Sequence, residues 1–223
     1  MTYRTTPKMA KRKEAHRAKL LQIAIRLFGK QGYHATTVPR IVRESGSSTG
    51  AFYFYFRNKD DIFACALQAI GEQIAGLLNK AMARAGGDTI SQMRVAVETF
   101  VLYLAEYPDE ARILIVESSG LGAKLANVRR SIIASHCRSV EQALTNIAGS
   151  LPRLDPKVVA SCWVGAVHES VHQWLRSPTE KRISAEALAK EISSFNLRGI
   201  GAQRGSHGNT AGDVLHGQSN GEP

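Results

Sequence analysis

Residues 36–63, TTVPRIVRESGSSTGAFYFYFRNKDDIF, decide how this chain folds. Thr37 precedes an apolar run, Val38, Ile41 and Val42, with Pro39 in the first turn, where a missing N–H costs little. That combination predicts a short helix capped by Thr37. Glu44-Ser45-Gly46-Ser47 breaks it, and Gly46 supplies the turn. Ser48 then caps another short helix through Phe56. AFYFYF alone favours a strand, because aromatic side chains suit pleated surfaces. No second strand candidate lies nearby to pair with it, so a helix is expected. Asn58 caps a longer helix from 59 to about 84, which Gly86-Gly87-Asp88 ends.

Upstream, between 14 and 31, Leu20, Ile23, Ala24, Leu27 and Phe28 recur at the spacing of one amphipathic helix face. Gly32 stops that helix. Residues 1–13 hold many cations and little apolar content, and a flexible basic arm is expected there. Downstream, helical patterns cover 89–106, 109–121, 123–149, 155–176 and 184–198. The breaks fall at Tyr107-Pro108, 120–122, 150–152 and Ser177-Pro178. From Gly199 the composition turns to Gly, Ser, Asn and His, and a disordered tail over 200–223 is expected. The fold class is therefore all-α. A helix-turn-helix unit spans 14–60, with its motif at about 37–56, and a larger helical body spans 61–199.

The net charge is +10, and its placement matters more than its size. Residues 1–60 carry 13 Lys and Arg against 3 Asp and Glu, whereas the remainder carries 16 of each. Such segregation points to a polyanion partner at the amino end. Cys65, Cys137 and Cys162 are scattered without a CxxC pair, which suits a reducing cytoplasm and excludes a disulfide framework. No secretory signal, membrane span or cofactor motif is expected.

The quoted stretch resembles the TetR family of regulators: a Thr at the second helix, a glycine turn, a short helix ending in Tyr-x-x-Phe, then a polar residue and Lys opening a long helix. The specific resemblance covers roughly 15–65; beyond that only the helical architecture matches. It implies a DNA-binding head, with the third helix in the major groove. It also implies a C-terminal domain that binds a small-molecule effector and forms a homodimer, hence a roughly palindromic operator. For the head it implies that Thr37, Tyr53, Tyr55 and Lys59 meet the phosphate backbone of double-stranded DNA, and Arg40 is expected to compensate at the DNA surface for Pro39, which stands where a polar or basic residue is common. Ser48, Thr49, Gly50 and Ala51 lie at the tip where base edges are met, and Phe54 is placed for a thymine methyl. Phe52 and Phe56 are assigned to the core against Leu27, Phe28 and Phe63. Lys8, Lys11, Arg12 and Lys13 could lie along the minor groove or stand idle. The sequence departs from the family pattern at Pro39, Val42, Ser45 and Ser47.

For the body, the resemblance implies an effector pocket near Phe100, Tyr103, Arg112, Glu117, Trp163 and Val167. EARILIVESSGLG, 110–122, is similar to a stretch in members that take fatty acyl or other lipophilic ligands. Val159, Trp163, Ala166, Ser170 and Trp174 on one helix, with Ile183, Leu188, Ile192, Phe195 and Leu197 on the next, form the expected dimer surface. Intrachain core is the competing reading for each.

HESVH, 168–172, matches the zinc-peptidase signature H-E-x-x-H. A zinc hydrolase using His168, Glu169 and His172, or a metal-responsive regulator, is the alternative function. The following residues, QWLRSP, lack the glycine and third histidine of the extended motif. No enzyme is expected, and the match is read as coincidence within a repressor.

Overall fold

The computed structural model describes residues 7–118, 121–150 and 154–202. Among the described residues nine α-helices follow in chain order: α1 Pro7–Ala35, α2 Val38–Ser45, α3 Thr49–Tyr55, α4 Lys59–Ala85, α5 Thr89–Glu106, α6 Pro108–Ala111, α7 Ala123–Asn146, α8 Pro156–Arg176 and α9 Ala185–Gly199. α6 continues into a π-helical turn, Arg112–Glu117. No strand occurs among the described residues, and AFYFYF is helical through Tyr55.

The caps follow the side chains that the sequence supplies. Thr37, Ser48, Asn58, Asp88, Asp155 and Ser184 each accept a backbone N–H in the first turn of the helix they precede. Gly46 ends α2 at φ 62 and ψ 28, a left-handed conformation in which glycine carries no steric penalty.

α1 departs from expectation at both ends. Residues 7–13 of the expected arm form its first turns rather than a free segment. Pro7 sits where proline initiates a helix, and Lys, Met, Ala, Arg and Glu after it are good helix formers. Residues 1–6 and 203–223 lie outside the described residues; of the expected disordered tail 200–223, Ile200 is instead buried and Ala202 donates its N–H to the Leu197 carbonyl, closing α9. Gly32, at φ 84, kinks α1 instead of ending it, and three further helical residues follow.

α1, α2, α3 and the start of α4 share one apolar centre. Leu20, Phe28, Ile41, Phe52 and Phe63 are fully buried, and Phe56 is nearly so. Phe28 and Phe63 meet edge to face with centroids 4.9 Å apart. Burying each such side chain contributes about 1.5–3 kcal/mol. α4 runs from this head into the body, where it packs on α5 and α7; α8 lies on α7 and α9 on α5. α4 has the length and apolarity to cross a bilayer, but that apolarity belongs to its packing face, where Ile62, Phe63, Leu67, Ile70 and Ile74 are buried.

Candidate nucleic-acid interface and effector cavity

The glycine turn holds α3 so that its tip and one face stay exposed. Ser48, Thr49 and Gly50 are exposed at its start. One turn on, Tyr53 and Phe54 keep 55% and 66% of their surface accessible. Tyr55 is half-buried and meets the His16 ring edge-on at 5.7 Å. Ala51 is half-buried behind the tip. The serines that depart from the family pattern are accommodated locally: Ser45 is buried and donates its hydroxyl to the Val42 carbonyl, and Ser47 Oγ lies 2.8 Å from His16 Nε2.

The helical start of α1 brings cations beside α3. Lys13 Nζ lies 5.3 Å from the centre of the Phe54 ring, and the Arg17 guanidinium 5.4 Å from that of Phe56. Reading 1–13 as an arm missed this, although its run of helix formers carried the signal.

Two expected DNA contacts have partners within the chain. Lys59 donates to the Tyr33 carbonyl at 3.0 Å and lies over the Tyr33 ring. Near it, Tyr33 donates its hydroxyl to Asp60, and burial first, then that carboxylate, pushes the phenol up to about 12. Asp60 and Asp61 offset the positive end of α4. The Asp61 carboxyl is held below its ordinary value, first by the Arg57 backbone N–H and then by Lys124. Arg40 pairs with Glu44 at 3.1 Å, and Glu44 also accepts Arg26 at 2.8 Å. Thr37 is exposed and spends an acceptor on its cap.

In the body, α4, α5, α7 and α8 enclose a cavity of about 250 Å³. Phe100, Trp163 and Val167 line it as expected, with Met82, Met93 and Val140 among their neighbours. Its polar wall includes His136 and His168, whose Nδ1 and Nε2 stand 3.5 Å apart.

Three expected pocket residues lie elsewhere. Tyr103 is buried and donates its hydroxyl to Glu110. Arg112 and Glu117 pair at 3.1 Å on the π-helical turn, and Glu117 also accepts the Tyr33 backbone N–H at 2.9 Å. The resemblance, not the helical period, assigns these residues to the pocket. They join the body to α1. The same junction includes Gly29, where an added Cβ would stand 2.4 Å from Asp109 Cβ.

The expected dimer surface divides. Leu188, Ile192, Leu197 and Trp163 are buried within the single chain, because α9 lies against α5 and Trp163 faces the cavity. Trp174 is half-buried and donates to the Ile183 carbonyl at 2.9 Å, with Arg182 over its ring. Val159, Ala166 and Ser170 are half-buried, and Phe195 remains 64% exposed.

The two histidines of HESVH have different partners. His168 turns to His136, whereas His172 lies 3.7 Å from Glu169 on its own helix. Among the described residues no three His, Cys, Asp or Glu side chains converge as metal ligands do.

A capped helix-turn-helix with an exposed aromatic tip, mounted on a helical body with an internal cavity, defines a DNA-binding transcriptional regulator. Residues 20–66 match the family model for bacterial regulatory proteins of the tetR family. The chain is 27% identical over 190 residues to the uncharacterized HTH-type transcriptional regulator YdgC of Bacillus subtilis (strain 168), covering 82% of this chain and 92% of that one. Among solved structures it is similar to the MbdR regulator from Azoarcus sp. CIB: TM-score 0.67, 28% identity, 83% of this chain and 98% of that one. It shares the fold of FadR from Bacillus subtilis, solved in complex with stearoyl-CoA: TM-score 0.73, 17% identity, 84% and 99% covered. Residues 20–66 thus carry the DNA-binding domain of the tetR family, and the relatives that match along the chain support a transcriptional regulator of that type.

Proposed function

We propose that this protein is a cytoplasmic repressor that binds a roughly palindromic operator as a two-fold homodimer and is released when a small lipophilic effector fills the α4–α5–α7–α8 cavity. The unit α1–α3 with the start of α4 is the reading head, and the rest is the effector-binding and dimerising body. The observation that carries the reading is the joint between them. Glu117 grips the Tyr33 backbone N–H at the kink of α1, and Ile115, two residues earlier, lines a space beside α7 and α8. A ligand that favours another position of this turn moves α1 and, with it, the separation of the two recognition helices.

Thr49, Gly50, Tyr53 and Phe54 have the exposure that a groove-reading tip needs. Thr37 and Arg40 are placed on the flank, and Lys59 keeps further N–H donors for a phosphate beyond the one given to Tyr33. Exposed Val158, Ile183 and Phe195 provide apolar surface on and beside α8 and α9 for a second copy. FadR's complex with stearoyl-CoA supports an apolar effector, as does the lining of the cavity.

Selection of bound DNA from a random pool tests the reading. The expected product is a palindrome with half-sites about one helical turn apart, bound by a dimer in sedimentation, with affinity falling steeply as salt rises. Failure to enrich any sequence at low salt refutes it.

A further inference from the structure

Between α7 and α8, adjoining the apolar cavity, lies a second space of about 410 Å³. Val164 and His168 line both, so the two meet along a shared wall. Arg129 from α7 lines the second space, and its Nε is buried without a hydrogen-bond partner among the described residues. A charged donor withdrawn from water with no acceptor is unfavourable, and a ligand oxygen relieves it.

The neighbouring groups leave that position to an anion. Glu169, at the rim, is held by Gln173 at 2.6 Å and lies beside His172, on its own helix. His168 is neutral at ordinary pH: burial first, then the charges of His136 and Arg129, push it down to about 3. Burial lowers His136 as well.

We propose that Arg129 receives the carboxylate of an amphipathic effector whose apolar body occupies the α4–α5–α7–α8 cavity, with His168 at the junction of head and body. The inference rests on the effector-binding reading above and names the chemistry of the ligand. An arginine presents Nε and a neighbouring Nη as parallel donors, which match the two oxygens of one carboxylate. Ile115, Ile133 and Val164 give the site apolar walls and Glu169 adds a carboxylate to the same space, so a singly charged head is disfavoured less there than a multiply charged one. Ile115 also belongs to the turn that holds α1, which sets the head against the element the effector must move.

Calorimetric titration of the full-length protein with sodium decanoate and with 1-decanol, both below aggregation, tests this. Decanoate is expected to bind about tenfold to a hundredfold tighter than the alcohol. Arg129→Gln is expected to abolish that preference while leaving decanol affinity and operator binding unchanged and the melting temperature no lower than the parent's. Arg129→Lys, with charge but no paired donors, is expected to fall between, and decides the matter if the Gln variant does not fold. Equal binding of acid and alcohol, a preference that survives in Arg129→Gln, or binding of neither overturns the proposal. Any of these outcomes in a protein that still binds its operator leaves the regulator reading intact. Loss of operator recognition by the unaltered protein strikes that reading instead.

Discussion

Replacing Gly29 with Ala tests the joint between head and body directly. The added Cβ would stand 2.4 Å from Asp109 Cβ, 2.5 Å from its Cα and 2.7 Å from its carbonyl oxygen. Carbon atoms in contact need roughly 3.5–4.0 Å, so α6 has to withdraw by about 1 Å or more. Backbone atoms are the obstruction, and no side-chain rotation relieves them. Overpacking of this kind costs about 1–3 kcal/mol. For a chain of this length each kcal/mol moves the melting temperature by about 2–4 °C; with alanine's helix preference of about 1 kcal/mol subtracted, a fall of up to about 8 °C is expected. Gly76→Ala in α4 is the matched control: a Cβ there meets nothing within 4 Å. Alanine is favoured over glycine inside a helix by about 1 kcal/mol, so the same chemical change should raise the melting temperature. Thermal unfolding followed by circular dichroism reads both variants. Withdrawal of α6 also pulls on the turn carrying Glu117, so Gly29→Ala should alter operator affinity in gel shift while Gly76→Ala does not. A Gly29→Ala protein whose melting temperature rises as that of Gly76→Ala does refutes the close approach. One that melts lower but binds and releases DNA normally refutes the coupling.

Tyr53→Ala with Phe54→Ala should weaken operator binding at least about tenfold with little change in melting temperature, since both rings are mostly exposed; unchanged affinity would remove them from the DNA surface. Phe52→Ala, at a fully buried ring in the same helix, should instead cost about 3–5 kcal/mol and loosen α1–α3, measurable by denaturant unfolding. Stability should also depend on pH through His168. Its folded value of about 3 lies below the ordinary 6.5, so the unfolded chain binds the extra proton. That contribution is complete above pH 6.5 and is lost as pH falls toward 3, at about 1.4 kcal/mol per pH unit. At pH 5 the native protein should have lost about 2 kcal/mol that His168→Gln does not lose, and parallel profiles for the two would contradict the burial of a neutral imidazole.

The head was legible before any coordinates because its determinants are local. Thr37, Ser48 and Asn58 cap helices from positions that a sequence displays, Gly46 supplies the one left-handed residue the turn needs, and Phe52 and Phe56 fall on the buried side at helical spacing. The first turns of α1 were legible too, in their helix formers, but the density of cations in 1–13 argued for an arm. The body's sites were less so. Phe100, Trp163 and Val167 meet at the cavity because long apolar side chains on four helices converge there, whereas Arg112 and Glu117, placed at the pocket by resemblance alone, pair with each other beside α1.

Local chemistry, carried by cap residues, apolar period and charge segregation, determined that this chain is all helix with a basic helix-turn-helix at its amino end. Only the tertiary structure decided that Leu188 and Ile192 pack inward, that Lys59 gives a hydrogen bond to Tyr33, and that the histidines of HESVH have separate partners. The reason is physical: a helix's period shows which residues share a face but not what that face meets. The choice between an apolar neighbour, a second copy and a cavity is made by elements far away in the chain.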